Sequence, residues 1–121
     1  MAHVDETGTL IGADKVAGTS VYNAEGETLG SIHDIMIDKH SGRVAYAVMS
    51  FGGFLGLGSD YHPLPWSALT YDPERGGYVV HLTREQLEGG PRYGKEEEPH
   101  WGDRDYEKRV HDYYGIGPYW M

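Results

Sequence analysis

Cysteine is absent from this chain, so no disulfide staples the fold, and a reducing cytoplasm suits it. Long apolar runs are absent as well. Nothing approaches the roughly 20 apolar residues of a membrane-spanning helix, and no membrane span is expected. The first residues, 1–9, are polar and carry Asp5 and Glu6. They lack the basic start and apolar core of an export signal, so the expectation is a disordered N-terminus on a soluble cytoplasmic protein. Positive charge is scarce: ten Lys and Arg stand against nineteen Asp and Glu, for a net charge of −9. The basic residues are scattered beside acids, as in Asp14-Lys15, Asp38-Lys39 and Glu74-Arg75. Affinity for nucleic acid comes chiefly from neutralising phosphates, and no basic face is visible, so no nucleic-acid partner is expected.

What the chain does have is short alternating apolar runs punctuated by glycine. At 121 residues it is one domain by length, large enough to bury a core without metal or disulfide support. Val16, Thr19 and Val21 open the pattern as a short strand. Asn23 to Gly26 reads as a turn, because asparagine bonds its own backbone and glycine accepts positive φ. Leu29 to Asp38 alternates imperfectly: Ile35 and Ile37 share a face and Ile32 takes the other, which predicts a bulge near His33 and Asp34. Asp38 to Gly42 predicts a hairpin loop with Gly42 left-handed. Arg43 to Phe51 is apolar on both faces, the mark of a central strand covered on two sides. Tyr61 to Trp66 contains two prolines, which cannot donate to a ladder, so it predicts an edge or a barrel corner. Leu69 to Tyr71 and Tyr78 to Leu82 flank a turn at Asp72-Pro73. Such runs spell a small, mainly β domain with its antiparallel sheet closed into a barrel.

Two helices follow. Thr83-Arg84-Glu85-Gln86 is a capping box, and Gly89-Gly90-Pro91 stops the helical turn it starts. After a charged linker from Lys95 to Pro99, Asp103 caps a second helix. There Tyr106, Val110, Tyr113 and Tyr114 form one apolar stripe, and Gly115 ends it. The divisions expected are a domain over 10–93 and a linker, helix and aromatic tail over 94–121.

The order and spacing of these residues resemble the PRC-barrel domain family. The matching elements are Val21-Tyr22-Asn23 with Gly26-Glu27 and Leu29-Gly30, then Asp38 with Gly42-Arg43-Val44 and Tyr46-Ala47-Val48. Phe51 to Gly58, Pro65-Trp66, Leu69 with Tyr71-Asp72-Pro73, and Leu82-Thr83 with Glu85-Gln86-Leu87 complete them. The resemblance implies a small, mostly antiparallel β-barrel that serves as a surface for other proteins. The chain is similar to the stand-alone bacterial form. It lacks the membrane helix of the reaction-centre H subunit and the RNA-related domain of the ribosome-maturation relative, so neither of those roles carries over.

The glycine loop Gly52 to Gly58 invites a phosphate-binding reading. It ends Gly58-Ser59-Asp60 without the lysine of a P-loop, and an extended segment follows it. Its Phe54, Leu55 and Leu57, with Phe51 before them, either fold over the barrel mouth or form a contact surface. Seven histidines raise a metal site, yet none pairs at helical ligand spacing; His33, His62 and His81 converge only if the sheet brings them together. No acid and base pair stands out for catalysis. No cofactor, metal or catalytic residue is assigned. The aromatic tail either packs on its own barrel or crosses to a second copy, and the reading favours a homodimer. Tyr106, Val110, Tyr113, Tyr114, Tyr119 and Trp120 are its expected contacts. The sequence therefore indicates a non-enzymatic interaction or assembly module. A small-ligand or metal-binding barrel with the glycine loop as lid is the alternative.

Overall fold

Seven strands share one hydrogen-bonded sheet in a computed structural model that describes residues 9–51, 60–94, 101 and 103–120. After a one-turn helix α1 (Ala13–Val16) come β1 (Ser20–Tyr22), β2 (Thr28–Ile37), β3 (Val44–Phe51) and β4 (Asp60–Pro65). The chain continues through a 3-10 turn (Trp66–Ala68) into β5 (Thr70–Asp72), β6 (Gly77–Val79), helix α2 (Arg84–Glu88), β7 (Tyr93–Gly94) and helix α3 (Arg104–Tyr114). The strand order is β5-β6-β1-β2-β3-β4-β7. This is a small, barrel-like, mainly β fold with short helices after the strands.

Its turns form for the reasons their residues suggest. The Asn23 side-chain carbonyl accepts from the backbone N–H groups of Glu25 and Glu27 at 3.1 and 2.8 Å, closing the β1–β2 turn. Asp38 accepts from the His40 amide at 3.0 Å and the Ser41 hydroxyl at 2.9 Å, while Gly42 takes φ +76°, a value open to glycine at no steric cost. The register of β2 on β3 slips between Ile32 and Asp34, which is the expected bulge. The Thr83 capping box is complete, with Gln86 N–H donating to Thr83 Oγ1 at 3.1 Å and Thr83 N–H to Gln86 Oε1 at 2.8 Å.

Four expectations need correction. Val16 belongs to α1, not to a strand: Lys15 and Val16 turn their amides back onto the Gly12 carbonyl, and the bend drops Val16 into the core. The sheet does not close into a ring of hydrogen bonds among the described residues, for β5 and β7 are its ends. It is also not wholly antiparallel, because β1 and β6 pair parallel. Finally, β4 is flanked on both sides, by β3 along its whole length and by β7 only at Asp60 and Tyr61. Its proline half, Pro63 and Pro65, lies beyond β7, so the missing N–H donors interrupt no ladder.

The interior is mostly apolar. Val21, Ile32, Met49, Leu64, Val80 and Leu87 are all at most 1% exposed and form one cluster; each such side chain contributes about 1.5–3 kcal/mol on leaving water. A second cluster lies elsewhere, made by Ala45 and Tyr46 of β3 with Tyr106 and Val110 of α3. Both faces of β3 are thus covered, as its sequence requires. The expected disordered start falls outside the described residues except for Thr9.

Candidate functional site

The seam between the sheet and α3 gathers four ionisable groups that are buried among the described residues, Tyr46, Tyr106, Glu107 and His111. Asp103 starts the helix by accepting from the Asp105 amide at 2.9 Å, and Gly115 ends it with φ +67°. Within it, Tyr106 and Val110 face the sheet at 7% and 0% exposure, and Glu107 and His111, one residue further on, are buried with them at 5% and 1%. The tail helix seats itself against α2 as well. The Tyr113 hydroxyl donates to the Gln86 carbonyl at 2.6 Å, and a Cβ added at Gly90 would lie 2.5 Å from the Tyr114 hydroxyl. The glycine pair that stops α2 is therefore also the bare surface on which the tail rests.

A polar network links these groups to the sheet. The Tyr46 hydroxyl lies 2.8 Å from His111 Nε2 and 3.2 Å from Glu107 Oε1. The Tyr119 hydroxyl donates to the same carboxylate oxygen at 3.0 Å. Arg104 approaches Glu107 Oε2 at 3.6 Å and donates to the Tyr119 hydroxyl at 3.3 Å. Tyr46 has one proton to give. When that proton goes to Glu107, His111 must donate from Nε2, which leaves Nδ1 deprotonated in a place where it meets no hydrogen-bond partner. Burial, and next the neighbouring Glu107 charge, raise the Tyr46 pKa. Burial lowers the His111 pKa. Both side chains are held in their neutral forms.

The aromatic rings of the tail surround this network. Trp101 and Tyr119 have their ring centroids 5.1 and 5.5 Å from that of Tyr46, the second perpendicular to it at 87°. Trp120 packs edge-on against His111 at 5.5 Å. A cavity of about 270 Å³ opens here, lined by Tyr46, Trp101 and Tyr119 and by Met36, Ile37, Asp38 and Glu107.

Of the residues singled out in the sequence, Tyr106, Val110, Tyr114, Tyr119 and Trp120 are drawn together at the seam, within their own chain. Tyr113 stands outside the stripe, 44% exposed. Phe51 is elsewhere, in the sheet interior at 4% exposure, edge-on to His62. Phe54, Leu55 and Leu57, and the glycine loop that carries them, lie outside the described residues. His33 stacks on Tyr61 at 4.2 Å, and His62 is buried with its Nδ1 unpartnered. Among the described residues no three His, Asp or Glu side chains group as a metal site would require. No helix among them is long and apolar enough to cross a membrane. Asp38 and Asp72 both serve as turn acceptors.

Sequence reasoning named Trp101 among the tail aromatics that must cover something, but missed Tyr46, Arg104, Glu107 and His111. The signal was available: Glu107 and His111 stand four apart and directly follow Tyr106 and Val110, so two polar residues run along the flank of the apolar stripe.

A search of curated proteins finds no significant match. Residues 8–87 match the family model of the PRC-barrel domain, a span that takes in every strand from β1 to β6 and ends within α2, before the tail. With that match over most of its length, and the barrel-like sheet that the same residues build, the chain belongs to the PRC-barrel domain family.

Proposed function

We propose that this protein is a non-enzymatic interaction or assembly module of the PRC-barrel type, working in the cytoplasm and associating with a second copy of itself through the outer face of the tail. One observation carries the reading. The tail stripe is already satisfied by its own sheet, yet Tyr113 and Tyr119 remain 44% and 39% exposed, and Ile37, beside Tyr119 at the cavity rim, is 50% exposed. Tyrosine is enriched where two protein surfaces meet, since its ring gives area and its hydroxyl tolerates water. The family supports an interaction role in general, and the choice of a second copy rests on these exposed side chains, since most homo-oligomers pair through a two-fold axis.

Light scattering on the full chain over a hundredfold range of concentration tests the dimer. Mass should rise towards twice the monomer for wild type and stay monomeric for the double variant Tyr113→Ser with Tyr119→Ser. A wild type that remains monomeric throughout removes self-association. Affinity capture with the wild type and the double variant then tests whether these side chains also hold other proteins, which fails if both capture the same proteins.

A further inference from the structure

The cavity at the seam is built for a different ligand from the flat outer face. Its size is near the lower end of small-molecule pockets, which run from about 300 Å³ upwards, so it suits a headgroup or one side chain. Its walls are the rings of Trp101 and Tyr119, set at 37° and 87° to the ring of Tyr46, which is itself only 1% exposed. At its base stands the Glu107 carboxylate, 5% exposed. Oε1 of that group is occupied by two hydroxyls, whereas the nearest cation to Oε2 is Arg104, at 3.6 Å. Asp38 adds a second negative charge to the wall, kept ionised by the His40 amide and the Ser41 hydroxyl.

Aromatic faces carry negative potential and attract cations within about 6 Å of the ring centre. The protein already exploits this here. The Arg104 guanidinium carbon lies 4.0 Å from the Trp120 centroid and 5.6 Å from that of Tyr119. Its side chain is 56% exposed, free to swing into water when another cation takes its place. A bare ammonium brings three N–H donors and would meet mostly ring faces, leaving donors unpaired at a cost. An alkylated ammonium keeps the charge and needs no acceptor.

We propose that this cavity binds an N-methylated ammonium group, held by Trp101 and Tyr119 against the Glu107 carboxylate in place of Arg104. Free choline and the trimethylated lysine of a partner polypeptide present the same group. The proposal stands apart from self-association, although Tyr119 borders both surfaces.

The test is titration of the full chain, followed by the indole N–H signal of Trp101, with choline, a trimethyllysine peptide and 3,3-dimethylbutanol, the uncharged shape analogue of choline. Mass is measured in the same solutions, so that a failed dimer and a failed site are told apart. Choline should saturate while the alcohol does not. Arg104→Gln should tighten binding and Tyr119→Leu weaken it, each by about two- to fivefold. Tighter binding of the peptide assigns the site to a protein partner, and equal or tighter binding of choline to a small molecule. The proposal is overturned if no cation saturates in wild type or Arg104→Gln, if the neutral alcohol binds equally, or if both substitutions leave the affinity unchanged.

Discussion

Inside the sheet, Val21, Ile32, Leu64, Val80 and Leu87 are packed with His62 as the buried ionisable group among them. Under α3, Tyr46, Glu107 and His111 are buried together with Tyr106 and Val110. Both regions exclude water, but by different means. The interior needs only shape and apolar area, which repacking tolerates as long as volume is kept. The seam depends on shared hydrogen bonds among Tyr46, Glu107, His111 and Tyr119, because a buried polar group that loses its partner in low dielectric costs more than a satisfied one returns. The two regions also differ in origin along the chain. The interior is drawn from the residues that match the family, whereas the seam joins β3 to residues beyond the match. The shared fold is held by grease, and the added tail by a polar lock.

The sharpest break in that comparison is at Leu64, fully buried in the interior. Leu64→Ala should cost about 2–5 kcal/mol, read from urea denaturation, and should unfold sheet and tail together. A transition in which the tail signal survives the loss of the sheet would contradict the tail's dependence on β3. Next comes Tyr46→Phe, which keeps the ring and deletes the hydroxyl shared by Glu107 and His111. Here about 1–3 kcal/mol is expected, with amide exchange quickening in α3 before β1 and β2. Uniform acceleration across the molecule would mean that the seam is not a separate unit.

The smallest effect is that of pH, and it separates the two regions by their histidines. Burial lowers the pKa of both His62 and His111, so the unfolded chain binds protons more readily below the ordinary histidine value of about 6.5. Stability is then full above that value and declines as pH falls through it towards the lowered folded pKa values. His62→Gln should flatten the decline on the interior side, and His111→Gln on the seam side. Identical melting temperatures at pH 7.5 and pH 5.5 in the wild type would dismiss the effect. Asp38 acts in a lower window, since its turn bonds lower its pKa and are lost only as the carboxylate protonates.

Much of the sheet was readable because its signals are local. The Ile32 phase change announced the bulge, the apolar faces of Arg43 to Phe51 announced a strand covered twice, and Thr83 with Gln86 announced the helix start. The parallel pairing of β1 with β6 was not readable, because it joins segments more than fifty residues apart with four other strands between them. Nor was the seam as a whole: Glu107 and His111 mark each other by their spacing along the stripe, but nothing ties them to a tyrosine on β3 until the helix is docked. Six aromatic residues in the tail said that something must cover them, and left open whether it was this chain or another.

By itself the amino-acid sequence determined the strands, turns and helix ends, since these depend on φ preferences, capping and apolar period within a few neighbouring residues. Only tertiary structure decided where the tail lies, which polar groups became buried, and that Arg104, Glu107 and three rings share one cavity. Burial and Coulomb interaction depend on distance in space, and the chain fixes that distance only once it has folded.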